Sequence, residues 1–226
     1  MRMARRMLCV FLTGLWAICP MQMVSAQQAP LEILVDAGHG GVDGGAVASD
    51  GTLEKDLNLQ IALKVAAWLR LLGFRVTMTR ETDCSIHDES AQTIRQKKVS
   101  DIKNRLKLLE ESQADLLLSV HQNMYGQSRY RGTQVFYGGG NTWSKPAAQS
   151  VQQSVQKLLQ PENTRQVKQT TKSIYLLYHA TKPAILVECG FLSNADELGL
   201  LKQEDYQRQL SFCIVCGILD YQNIKG

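Results

Sequence analysis

The sequence predicts an α/β fold: one domain, with a twisted, mostly parallel central sheet and helices on both faces. Three observations lead there. Short apolar runs such as LEILVD, DLLLSV and AILV alternate along the chain with longer stretches whose apolar residues recur at helical spacing. The short runs are of strand length and read as buried strands. The 226 residues, 44% of them hydrophobic and 20% charged, suffice for one substantial core.

Taken in order, Leu31 to Asp36 reads as a buried strand entering a glycine-rich turn. From Glu54, the residues Leu57, Ile61, Val65, Trp68 and Leu69 mark a helix that Gly73 stops, and FRVTMT follows as a second strand. Glu81 to Ser100 is polar and irregular. A helix from about Val99 to Ser112 presents Ile102, Leu106 and Leu109 on one face, and DLLLSVH is a third strand ending at a histidine. GTQVFYGGGN is a fourth strand halted by three glycines, Lys145 to Leu159 a helix, and PENTR a break. SIYLLYH is a short strand or a helix end, AILVE a strand, and Glu204 to Tyr221 a closing helix.

The N-terminus carries Arg2, Arg5 and Arg6 without an acid, then an apolar run from Met7 to Cys19 that is short for a bilayer span. Val24, Ser25 and Ala26 supply the small residues of a cleavage site. Residues 1–26 therefore read as a signal peptide, or as an N-terminal anchor if uncleaved, and residues 27–226 as the working domain. Removing the three arginines takes the formal charge from +4 to +1, which argues against a nucleic acid partner. Of the four cysteines left, Cys84, Cys189, Cys213 and Cys216, the last two form a C-x-x-C in an apolar helical stretch, where packing accounts for them better than redox chemistry.

Apolar strands run out at His39, His121 and Glu188. Parallel strands share one carboxyl edge, so residues distant in sequence converge there, and Glu54 at the start of the first helix can reach the same edge. Two imidazoles and a carboxylate are the ligand set of catalytic zinc sites, which leave a fourth position open. A further carboxylate can move protons beside such a metal, a role that suits Glu188. Competing readings remain at this stage. Either histidine alone could be a packed residue, Glu188 could belong to a structural ion pair, and GHGGVDGG could cradle a phosphate, although it lacks the G-x-G-x-x-G and P-loop spacings. Asp36 and Glu188 could also form the carboxylate pair of a glycosidase. His87 and His179 end no apolar strand and are read as non-ligands.

Taken together and in order, DAGHGGVDGGAV, GTLEKDLNLQIA, TRETD, DLLLSVHQN and PAILVECGFLSN resemble the zinc-dependent N-acetylmuramoyl-L-alanine amidase family over nearly all of Leu31 to Tyr221. The resemblance implies one Zn2+ per chain held by His39, Glu54 and His121, with Glu188 as the catalytic carboxylate. It implies cleavage of the amide between N-acetylmuramic acid and L-alanine, with a peptidoglycan glycan strand bearing peptide stems as substrate. A zinc peptidase acting on the stem, or an inactive wall-binding relative, are the rival functions. SIHDESAQTIRQKKVSDIKNR and SIYLLYHATKPAILVECGFLSN resemble the spore-cortex, germination-specific branch of the CwlD type. That branch implies export across the cytoplasmic membrane to the cell wall or forespore intermembrane space, a part in making muramic-lactam, and a lipoprotein activator as partner. Two departures, DAGHGG for the commoner DPGHGG and HQNMY for the commoner HANA, remove no ligand. Arg129, Tyr130 and Arg131 either line the substrate groove or form a solvated loop.

Overall fold

A computed structural model describes residues 29–225; the leader expected over residues 1–26 lies outside them. The chain runs β1 (Glu32–Ala37), α1 (Glu54–Leu71), β2 (Arg75–Met78), α2 (Ile94–Glu111), β3 (Leu116–Asn123), β4 (Gln134–Tyr137), α3 (Ser144–Leu158), β5 (Lys168–Gln169), α4 (Tyr175–His179), β6 (Ala184–Phe191), α5 (Ala195–Leu201) and α6 (Glu204–Lys225). The sheet order is β2-β1-β3-β6-β4-β5. Strands β2, β1, β3 and β6 are mutually parallel, and β4 runs antiparallel to β6 with β5 parallel to β4. The α/β class, the mostly parallel sheet and the helices on both faces are as the sequence predicts.

The two-residue period of the strands divides the core into two layers. Ile33, Val35, Leu116, Leu118, Val120, Ile185 and Val187 point to one side, where they meet α1, α3 and α6. Leu34, Leu117, Ala184 and Leu186 point to the other, against Leu109 of α2 and Leu176 and Leu177 of α4. Helix α6 lies against α3 at Gly217, where an added Cβ would fall 2.5 Å from the Val151 Cα, so a glycine sets that approach.

Four details differ from the sequence reading. Helix α2 begins at Ile94 rather than near Val99, because Thr93 and Gln96 form a reciprocal capping box that starts it earlier. SIYLLYH resolves into the short helix α4. Helix α5 was not expected; it opens where the Asn194 side chain accepts the backbone N–H groups of Asp196 and Glu197. The two-residue β5 is too short to leave a pattern. Among the described residues, no helix is long and apolar enough to cross a membrane.

On the α2 side, the even face of β1 carries a charge into the core. Asp36, 1% exposed, pairs at 2.5 Å with Arg105, which is 2% exposed. Ser119 and Thr79 hydroxyls donate to the same carboxylate at 2.5 and 2.8 Å. Burial alone would raise the Asp36 pKa, but Arg105 and the two hydroxyls outweigh it and hold the carboxyl down at about 2, below the ordinary 3.8. Breaking such a pair strands the remaining charge. Arg105→Ala is accordingly expected to lose about 3–5 kcal/mol of stability in denaturant unfolding. Since the folded pKa lies below the unfolded one, the Asp36 contribution is complete above about pH 4 and disappears as pH falls through 2. An acid titration of stability should show a wild-type loss in that window that is smaller in Asp36→Asn.

Candidate active site

The turn after β1 is built by arginines. Arg105 donates to the carbonyl oxygens of Ala37 at 2.8 Å and His39 at 2.6 Å. Arg80 donates to those of Ala37 at 2.9 Å, Gly38 at 3.0 Å and Lys55 at 2.8 Å. Asn58 of α1 adds a bond to the Gly38 oxygen. Gripped in this way, His39 takes a φ of 61°, the left-handed region that a residue with a Cβ avoids. This strain turns the imidazole across the sheet edge. Gly38 is needed beside it, because a Cβ there would fall on the His121 ring.

Glu54, the first residue of α1, reaches over the edge to both histidines. Its Oε2 lies 3.2 Å from His39 Nε2 and its Oε1 2.9 Å from His121 Nδ1. The two rings stand edge to face, 4.9 Å between centroids. One ligand atom from each of His39, Glu54 and His121 falls within 4.8 Å of the others. Two donors around one tetrahedral zinc stand about 3.4 Å apart, given bonds of about 2.1 Å, and the Glu54 carboxylate lies near that distance from each histidine. The donor chemistry fits as well. Burial works against the charge of Glu54, but bonds with His121 and His39 hold its carboxyl well below the usual range, leaving it ionised. Backbone N–H groups of Ala46 and Gln122 also donate to it.

Glu188 is the register partner of His121 across β3 and β6, so the two side chains stand side by side on one face. It is not bonded to the cluster. Its Oε2 is closed off from solvent and has no hydrogen-bond partner among the described residues. Burial, with the Glu54 charge adding to it, pushes this carboxyl up to about 7 against the pull of the two histidines. The structure thus brings together all four residues that the sequence singled out, in two different environments.

The remaining expectations fall elsewhere. His87 bonds to Ser85 and His179 packs on Tyr175 and Tyr178, both apart from the cluster. Cys213 is buried and Cys216 partly so, both as free thiols. The glycosidase pairing is corrected by the burial of Asp36, whose oxygens are consumed by Arg105, Ser119 and Thr79 and cannot meet a sugar.

One residue escaped the sequence reading. Asp43, in the glycine turn, accepts from His39 Nδ1 at 2.8 Å and pairs with Lys98 of α2 at 2.7 Å. A carboxylate on the far ring nitrogen fixes the orientation of an imidazole ligand. Its only trace in the sequence was a spacing of four from His39 within a turn. Burial lowers the His39 pKa, but Asp43 and Glu54 reverse that and raise it to about 9. In metal-free protein, Asp43→Ala should therefore move the His39 titration downward, toward the ordinary 6.5, when followed by NMR of the ring; an unmoved titration would remove Asp43 from this role.

The fold and this donor set define a class, a single-domain α/β protein with a candidate His–Glu–His metal centre at one edge of its sheet. Known proteins make it particular. The profile described as N-acetylmuramoyl-L-alanine amidase matches residues 33–220. The germination-specific N-acetylmuramoyl-L-alanine amidase of Bacillus subtilis (strain 168) is 38% identical over 194 residues, covering 86% of this chain and 81% of that one. The CwlD amidase from Clostridioides difficile, solved in complex with the GerS lipoprotein, superposes with a TM-score of 0.82 at 39% identity, covering 86% of this chain and 99% of that one. An N-acetylmuramoyl-L-alanine amidase from Clostridium difficile 630 gives 0.76 at 32% identity, covering 88% and 100%. The chain belongs to the N-acetylmuramoyl-L-alanine amidase family.

Proposed function

We propose that this chain hydrolyses the amide between N-acetylmuramic acid and L-alanine in peptidoglycan, with one zinc ion held by His39, Glu54 and His121 and with Glu188 as the catalytic carboxylate. The observation that supports this reading is the three-donor cluster beside the unpartnered Glu188 oxygen. Zinc bound there supplies Lewis acidity, polarising a carbonyl and acidifying water. Everything else falls to the side chains. The Glu188 carboxylate takes a proton from the attacking water and returns it to the departing L-alanine nitrogen, so that the carboxyl ends the cycle as it began. Burial, which works against the charge of this carboxyl, suits a group that must both accept and release a proton. Asp43 keeps His39 aimed, and Glu54 stays an anion throughout.

The spore cortex is the setting this reading adopts, supported by the germination-specific relative and the CwlD amidase. A leader over residues 1–26 would carry the chain across the cytoplasmic membrane, to the cell wall or the forespore intermembrane space. A lipoprotein partner belongs to the same reading, since the C. difficile relative was solved with one.

Glu188→Gln is expected to keep its zinc by elemental analysis while amide cleavage falls roughly 10²- to 10⁴-fold. His39→Ala should lose the metal as well. Mass spectrometry of digested muropeptides should show intact stems released from muramic acid; fragments cut within the stem would make the enzyme a peptidase. Full activity in Glu188→Gln would sink the assignment of the base.

A further inference from the structure

A cavity of about 520 Å³ opens between the segments that follow β3 and α3, and Arg129, Tyr130, Arg131 and Arg165 line it. Its walls are braced. Arg165 lies over the Phe191 ring at 4.5 Å and near that of Tyr130 at 5.9 Å, and it donates to the Arg131 oxygen and the Gln134 amide oxygen. Asn194 ties the loop by bonds to the Ser128 and Tyr130 oxygens.

Three arginines line this one cavity, with the Glu197 carboxyl near Arg131 and Arg165. Among the described residues, Arg129, Arg131 and Arg165 form no ion pair. Of the acids in the wall, Glu197 uses its two oxygens on the N–H groups of Gly132 and Phe191, and Glu162 stands exposed on the rim. Arg165 spends only two of its five donors within the protein. Arginines gathered on one wall without an ion-pair partner among the described residues suit a carboxylate, which their planar donors can bind in pairs.

One hydrogen bond links the cavity wall to the strand paired with the one that carries Glu188. Gln134, which holds Arg165, is the register partner of Glu188 across β4 and β6, so the two side chains share one face of the sheet.

We propose that this arginine cavity is a subsite for a carboxylate of the peptide stem, with Arg165 as its anchor and Arg129 and Arg131 as its rim. The inference rests on the amidase reading above. In that substrate the carboxyl of muramic acid is consumed in the amide to be cut, so free carboxylates belong to the peptide side.

The test compares two N-acetylmuramoyl-peptide substrates, one with free peptide carboxylates and one with these converted to carboxamides, on the zinc-loaded chain. Wild type should favour the carboxylate form roughly ten- to hundredfold in kcat/KM, mostly through KM. In Arg165→Gln combined with Arg131→Gln that preference should collapse to within about twofold, a ratio in which any general loss of folded protein cancels. A preference that survives in the variant, or is lacking in wild type, overturns the subsite. Calorimetry of the free peptide and its carboxamide with Glu188→Gln protein separates the two claims without turnover. Carboxylate-selective binding that needs Arg165, in a chain that cuts neither substrate, would sink the reaction and keep the subsite. Cleavage of both substrates with no carboxylate-selective binding would do the reverse.

Discussion

The buried pairing of Arg105 with Asp36 is the interaction on which the site depends. One guanidinium neutralises a carboxylate inside the sheet–helix layer and at the same time holds the carbonyls of Ala37 and His39. A left-handed histidine is an unfavourable conformation, by about 1–3 kcal/mol, and persists only where its surroundings leave it no alternative. Arg80 and Asn58 complete that enclosure from β2 and α1. Fold stability and donor placement are therefore the same set of bonds.

Two glutamates a short distance apart are driven to opposite states by what surrounds them. Glu54 sits at a helix N-terminus, takes backbone N–H bonds and touches both imidazoles, all of which favour the anion. Glu188 leaves an apolar strand with one oxygen unpartnered, which favours the proton. Under the proposed reaction, this separation suits one to holding charge and the other to moving protons. The strand register is what makes it useful, because it sets Glu188 beside His121 on one side and Gln134 on the other.

Much of this was legible in the residues alone. Apolar runs of strand length and a helical period elsewhere define the layers, and a parallel sheet must deliver its strand ends to one edge. His39, Glu54, His121 and Glu188 could be named from those rules with the order of the motifs. The early start of α2 was also written in the chain, as T-x-x-Q, but a cap of two polar residues is quieter than an apolar stripe.

What the sequence by itself determined, then, was the layer architecture and which four polar residues meet at one edge of the sheet, since both follow from periodicity and from where strands end. Only the tertiary structure decided what surrounds each polar group. Asp36 proved to be a core anion rather than a sugar-facing acid because Arg105, 69 positions away, folds onto it. Asp43 became the support of His39, and Arg165 the neighbour of Gln134. These assignments depend on which side chains meet across elements. Sequence spacing does not carry that information, because the distance between two residues along the chain says nothing of the turn or register that brings them together.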